Sequence, residues 1–386
     1  MRRIYLDHTA TTPLDPRVME AMRPCFSGTF GNASSIHSYG REAREVLERA
    51  RAIVARSIGA EPGEVIFTSG GTESDNLAIT GVASALGDRN GIVTASTEHH
   101  AVLEPCRYLE QKGHRVTFLP VDSGGRVDLD ALRGAVEERT ALVSVMHANN
   151  ETGTIADIAA MAEIARNAGA LFHTDAVQSA GKIPVDVRRL GVDLMTLSAH
   201  KMYGPKGIGA LFLRRGVPLD PLVRGGGQER GRRPGTENVP LAVGFAEAFS
   251  LALSSMEEES ARLRVLRDAL EERLRVLFPG IIVNGGTALR LPHVLNISFG
   301  RPAYPLEGDM LVMNMDLEGV AVTSGSACTS GSLEPSHVIR AMGRDEETAK
   351  ATLRFSFGRG NTMEDVEEVA ERVDTVVQRM LRAYRG

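Results

Sequence analysis

The chain has 386 residues, of which 42% are hydrophobic and 24% charged, with a formal net charge of −5. This composition is that of a globular protein long enough for two domains, and the acidic balance gives no electrostatic case for nucleic acid or an anionic membrane as the main partner. Three cysteines, Cys25, Cys106 and Cys328, form neither a CxxC pair nor an even-numbered disulfide framework, which points to a reducing compartment.

The opening "MRRIYLDHTATTPLDP" carries two arginines but no apolar stretch behind them, so it does not read as an export signal. No apolar run approaches membrane-spanning length, and the expected location is the cytoplasm. One local pattern then recurs with different endings. "EVIFTSGGTESDNLAI" (64–79) is a β-rich run, a Gly-rich turn and a helix opening. "GIVTASTEHHAVLEPC" runs apolar and delivers His99 and His100, while "TALVSVMHANNETG" delivers His147, Asn149 and Asn150. "DIAAMAEIARNAG" has helical spacing. "GALFHTDAVQSAG" delivers Asp175 and Gln178, and "VDLMTLSAHKMYGPKGIGALFL" delivers Ser198, His200 and Lys201 before a second apolar run.

Strands alternating with helices predict a mostly parallel sheet covered on both faces. Ligands bind such sheets at the carboxyl ends of the strands, so five polar strand ends in series are expected to converge on one site. The amphipathic run 257–278, followed by Pro279-Gly280, predicts a long hinge helix leading into a smaller α+β domain. That domain is expected to hold strands in "HVLNISF" and "LVMNMDLEGVAVTSG", a helix around 335–342, a strand in "TLRFSFG" and a closing helix after Asn361. The resulting division is 15–256 for the large domain, with 1–14 and 257–386 forming the small one.

The chemistry follows from the residue types. "TSGGTES" sets backbone N–H groups and the Thr72 hydroxyl at a helix N-terminus, an anion site without the lysine of a nucleotide-binding P-loop. Asp175, just past an apolar strand, is either a core carboxylate satisfied by backbone amides or a group that holds a proton on a heterocyclic nitrogen. Lys201 directly follows a strand, where desolvation lowers an amine pKa and permits Schiff-base chemistry. A phosphate cradle, a buried Asp and a sheltered Lys are what pyridoxal 5′-phosphate requires. Cys106 reads as core, Cys25 has no assigned role, and Lys206 in "GPKG" reads as structural. His99 and His100, being adjacent, face apart and lack a third ligand at metal spacing, so no metal is expected.

"SGGTES", "EHHAV", "NNETG", "HTDAVQSAGKIPVDV", "SAHKMYGPKGIGAL", "GGGQERGRRPGTENV", "HVLNISF" and "SGSACTSGSLEPSHVIRAMG" occur in order along the chain. This ordered set resembles the cysteine desulfurases of the NifS/IscS type, class V aminotransferase relatives within the fold-type I pyridoxal-phosphate enzymes. The resemblance implies a three-layer large domain and a smaller α+β domain. It implies that Lys201 binds the cofactor covalently, Asp175 pairs with its ring nitrogen, Gln178 bonds its phenolate oxygen and His99 stacks on the ring and shuttles protons. Gly71, Thr72, Ser198 and His200 would hold the phosphate, with Thr236 reaching in from a second subunit of a homodimer. Asn150 and Arg354 would fix the substrate carboxylate, Arg354 in a two-pronged grip.

The resemblance also implies a reaction. L-cysteine would become L-alanine, leaving a persulfide on Cys328 that passes to an acceptor such as an Fe–S scaffold, or to thio-cofactor synthesis or tRNA thiolation. Cys328 sits in "TSGSACTSG", where small neighbours and the glycines Gly325 and Gly331 predict a loop free to carry it, and it is also a candidate transient Fe–S ligand. The alternative on the same scaffold is a selenocysteine lyase or cysteine C–S lyase. A different class of role, a scaffold whose main task is to bind a cluster-assembly partner, also remains open. The chain departs from the family pattern at His8, where many relatives have Asn, at Pro234, where Ala or Ser is frequent, and in the polar "LVMNMD".

Overall fold

The computed structural model describes residues 2–325 and 334–385. A two-residue strand, β1 (Ile4–Tyr5), opens the chain and belongs to the second sheet system described below. The main sheet is built from β2 (Val65–Thr68), β3 (Gly91–Ala95), β4 (Arg115–Leu119), β5 (Thr140–Ser144), β6 (Leu171–Asp175), β7 (Leu194–Ser198) and β8 (Gly209–Leu213). Their spatial order is β2-β8-β7-β6-β5-β3-β4. All run parallel except β8, which lies antiparallel to both β2 and β7.

The strand sequences explain this placement. "VIFT", "TALVS", "LMTLS" and "GALFL" are buried along their whole length, the continuous apolar run expected of strands covered on both faces. On one face, Leu77, Val82, Val102 and Leu109 from the helices Gly71–Ala85 and His100–Gln111 pack on Ile66, Ile92, Leu142 and Leu211. On the other, Leu47, Met161 and Phe245 from the helices Ser38–Ser57, Ile158–Asn167 and Val239–Ser254 meet Val93, Val143, Phe172 and Met195. The sheet is thus mostly parallel and three-layered, as expected. The strand β4 has no counterpart in the sequence reading: at the sheet edge "RVTFL" alternates between exposed and half-buried up to the buried Leu119 and lacks an apolar run.

A second, antiparallel sheet has the order β12-β10-β9, from β9 (Ile282–Val283), β10 (Val294–Ser298) and β12 (Thr352–Ser356). The parallel pair of β1 and β11 (Val320–Ala321) adjoins it, with Asp7 bridging to Ser356. The helices Met256–Leu277 and Met363–Arg385 bring Leu263, Leu270, Val369 and Val373 onto Leu295, Ile297, Leu353 and Phe355. Glu257 to Glu259 in the first turn of the former and Arg275 in its last suit the helix dipole. The expected strand in "LVMNMDLEGVAVTSG" is corrected here. Its first part is the helix Gly308–Leu317, and only Val320–Ala321 is extended. Leu311 and Met315, four residues apart, fall on one helical face and enter the core, a periodicity of 3.6 that the run of apolar residues had masked.

No single helix among the described residues is long and apolar enough to cross a membrane.

Candidate functional site

The carboxyl ends of the strands open onto a cavity of about 250 Å³ lined by Gly71, Thr72, His99, Asn150, Asp175, Gln178, Ser198, His200 and Lys201, together with Asp75, Met146, Ala148 and Val177. Nine of the ten residues expected around a cofactor meet there. The tenth, Thr236, lines a separate cavity with Ser69, Glu229 and Arg233. Arg354 is not among the cavity-lining residues but donates from Nη1 to the carbonyl oxygen of Asn150, at 2.9 Å. Cys328 lies outside the described residues. Cys106 and Cys25 are buried, and burial pushes the Cys106 thiol up to about 12, so neither is a competing nucleophile.

One end of the cavity is an anion cradle. β2 turns through Ser69 and Gly70 into the helix Gly71–Ala85, whose first N–H groups have no helical partner. The turn lies close on β8: a Cβ at Gly209 would come within 2.7 Å of the Gly70 carbonyl carbon, so only glycine lets the two backbones meet. Glu73, in the first turn, donates nothing to the cradle; it pairs with Arg233 at 2.9 Å and accepts the Ser69 N–H. From the end of β7 come Ser198 and His200. Burial, then the nearby Lys201 charge, lowers the His200 pKa to about 4, which leaves a neutral ring whose Nδ1 lies 3.1 Å from the Thr11 hydroxyl. The cradle therefore offers neutral donors, which suit a phosphate dianion.

Asp175 ends β6. It accepts the Val177 N–H at 2.8 Å, and burial raises its pKa while the Val177 amide and the Lys201 charge oppose that rise. Lys201 Nζ donates to the carbonyl oxygens of Thr9 and Ala10, at 2.6 and 2.7 Å. Desolvation first, and Arg354 second, pull its pKa down to about 8. Gln178 Nε2 donates to the Thr9 carbonyl at 3.0 Å. His99 caps the helix His100–Gln111, its Nδ1 accepting the Ala101 N–H at 3.1 Å. That bond assigns the proton of the neutral ring to Nε2. Desolvation, followed by the Lys201 charge, lowers its pKa to about 4 and keeps it neutral.

Arg354, on β12, is 4% exposed and spreads between the two sheet systems. Nη2 binds Asp7 at 2.7 Å, Nη1 binds Asn150, and the buried Nε has no partner among the described residues. The backbone of Arg354 also pairs with Thr323, so the stem leading into the Cys328 segment starts beside this guanidinium.

Three contributors were not legible in the sequence. Asp7 and the Thr9 carbonyl reach the site through contacts with residues nearly 200 or more positions away. Asp75 sits in a helical polar run that looks solvent-facing but is 1% exposed. His147 and Asn149, delivered by the same strand end as Asn150, point into structure instead: His147 Nδ1 lies 2.9 Å from the Ser179 hydroxyl, and Asn149 Oδ1 caps Glu151 and Thr152. Lys206 lines a different cleft, with Tyr5, His8 and Arg359.

Comparison with known proteins gives concordant matches. The Aminotransferase class-V family model matches residues 4–369. A cysteine desulfurase IscS of Dictyoglomus turgidum is 48% identical over 98% of this chain and 95% of its own length. An IscS of Anaeromyxobacter sp. is 50% identical over 98% of this chain and 93% of its own. Among solved structures, a NifS-like protein superposes with a TM-score of 0.90 at 39% identity, covering 98% of this chain and all of that one. A NifS-like protein from Rickettsia africae gives a TM-score of 0.87 at 32% identity, over 98% of this chain and 100% of its own.

Proposed function

The chain belongs to the aminotransferase class-V family and is a cysteine desulfurase; from that premise we propose that pyridoxal 5′-phosphate occupies the strand-end cavity and that Cys328 takes the sulfur. The observation that carries this reading is the convergence of nine expected residues on one cavity. Their chemistry fits the cofactor. Neutral donors from Gly71, Thr72, Ser198 and His200 suit the phosphate, Asp175 suits a protonated ring nitrogen, and the low-pKa amine of Lys201 suits the aldehyde. When bound, the cofactor supplies an electron sink for the carbon that carries the substrate amine.

The chain's own residues do the rest. Arg354 Nε, buried and unpartnered among the described residues, and Asn150 hold the carboxylate of L-cysteine. Lys201 Nζ, with its depressed pKa, takes a proton from the substrate and returns one to the product. His99, with the proton on Nε2, would stack on the cofactor's ring and could donate from that atom. Gln178 retains one amide N–H beyond its bond to Thr9 for the phenolate oxygen. Cys328, as thiolate, attacks the substrate sulfur. The S–S bond forms as the C–S bond breaks, the electron pair stays with the carbon, protonation there gives L-alanine, and the persulfide remains on Cys328.

Thr236 is assigned to the phosphate of a second copy in a homodimer. Its place outside its own chain's cavity supports this, as do the exposed apolar side chains Phe26, Phe30, Ile36 and Tyr39, of which Ile36 is 92% exposed. We assign residues 15–256 to the cofactor-bearing unit and 1–14 with 257–386 to the smaller one. The protein is placed in the cytoplasm, passing sulfur to an Fe–S scaffold or to thio-cofactor and tRNA thiolation routes. Cys328→Ser tests the core of the reading. The variant should keep the cofactor's visible absorption yet release no sulfide from L-cysteine, and sulfide at the wild-type rate would sink the persulfide role.

A further inference from the structure

A second carboxyl group shares the cavity with Asp175. Asp75, one turn into the helix Gly71–Ala85, is 1% exposed and lines the same wall. Its Oδ1 has no hydrogen-bond partner among the described residues. His173 Nε2 of β6 stands 3.6 Å from that oxygen but brings no charge. Burial lowers the His173 pKa to about 3, and its ring nitrogens already face the Ser144 hydroxyl at 2.8 Å and the Thr196 hydroxyl at 3.0 Å. The other groups that act on Asp75 are Asp175 from β6, Thr196 from β7 and Glu98 from the segment after β3. Glu98 is itself sealed: Oε1 accepts the Met146 N–H at 2.9 Å and Oε2 has no partner among the described residues.

The two aspartates differ in what supports a negative charge. Asp175 has the Val177 amide at 2.8 Å and the Lys201 charge, whereas Asp75 has the Thr196 hydroxyl but no cation, and its Oδ1 has no donor among the described residues. Carboxylates confined in one desolvated space cannot both ionise near neutral pH, and the proton settles on the worse-supported member. Burial first, then the Asp175 charge, raises the Asp75 pKa well above the ordinary carboxyl range.

We propose that Asp75 and Asp175 carry one negative charge between them with the proton held on Asp75, which makes Asp75 a positioning residue that leaves Asp175 as the anion facing the ring site. The role toward the ring rests on the reading of the cavity given above; the location of the proton does not.

The test is the pH dependence of unfolding of the full chain, with and without pyridoxal phosphate, for wild type and Asp75→Asn. Above the ordinary carboxyl pKa the native chain holds one more proton at Asp75 than the unfolded chain, so this group lowers stability as pH rises. The amide removes that dependence. The variant should therefore gain on the wild type by up to about tenfold in the folding equilibrium per pH unit as pH rises above the ordinary carboxyl pKa of roughly 4, with the difference constant below it. Asp75→Ala, which also removes the titrating group, must show the same slope on a less stable baseline. A difference that stays flat with pH, or a wild type that gains on the variants as pH rises, overturns the proposal. Failure of the wild type to bind pyridoxal phosphate would instead defeat the cavity reading and leave the slope to report on Asp75 by itself.

Discussion

Lys201 and Arg354 are both cations kept from water, and the consequences differ. Lys201 answers desolvation by losing its proton easily, with a pKa of about 8. Only the neutral amine attacks an aldehyde, so the rate at which cofactor-free protein captures pyridoxal phosphate should climb toward pH 8 and level off above it, as stopped-flow absorbance would record. Lys201→Ala should lose the cofactor on dialysis. Arg354 spreads its guanidinium between Asp7 and the Asn150 carbonyl, which leaves Nε for the carboxylate it is proposed to hold. A lysine there has no planar fork with which to serve three partners. Arg354→Lys should lower kcat/KM by about ten- to a hundredfold, mainly through KM, because a charge-assisted hydrogen bond contributes roughly 1.5–3 kcal/mol. At this scale the sequence revealed residues that directly follow apolar strands, since a polar group there has few bland explanations. It did not reveal Asp7, whose importance comes from a partner 347 positions away, or Asp75, whose neighbours in the chain are themselves polar.

The loop that carries Thr236 is fastened by one buried ion pair. Arg51, from the helix Ser38–Ser57, grips Glu229 with Nη1 at 2.6 Å and Nη2 at 2.8 Å, both residues being nearly sealed from solvent. The guanidinium also lies over the Phe67 ring, and Glu229 accepts the Phe67 N–H. The backbone at Glu229 and Arg230 is left-handed, with φ of 46° and 60°, a conformation that side-chain-bearing residues adopt only when held. Glu229→Ala should leave the buried Arg51 charge with only the half-exposed Glu48, on Nε at 3.2 Å, and cost up to about 3–5 kcal/mol of stability in denaturant unfolding. Within "ERGRRPG", Glu229 and Arg233 are both fasteners, Glu229 on Arg51 and Arg233 on Glu73. Elements with strong periodicity or continuous apolar character were legible, including six strands of the main sheet. The edge strand β4 and the helix Gly308–Leu317 were not, because one is weakly patterned and the other mixes apolar residues densely enough to hide its period.

At the scale of the molecule, the assigned homodimer makes a genetic prediction. If Thr236 serves its partner's cavity, Thr236→Asp and Lys201→Ala chains should each be inactive alone, yet co-refolded mixtures should recover activity in the mixed dimers. There one site regains both its own Lys201 and the partner's intact threonine. Recovery absent from mixtures that demonstrably contain mixed dimers would place Thr236 in service to its own chain. Ile36→Glu should lower the dimer fraction in sedimentation and take activity with it, since a charge cannot be buried unpaired at an apolar contact. The general architecture was legible because alternating strands and helices admit few topologies. The junction between the two sheet systems was not, because Asp7, Thr9 and Arg354 meet only after both have folded. That junction also bears on how the protein is made. On a ribosome, every residue lining the strand-end cavity has emerged long before Arg354, yet Asp7 and the Thr9 carbonyl have waited since the start of synthesis. On the proposed reading, the cavity residues that one chain supplies are all made before β12, whereas the grip on a substrate carboxylate would form only when β12 arrives, so a product truncated before β12 would lack its anchor for cysteine.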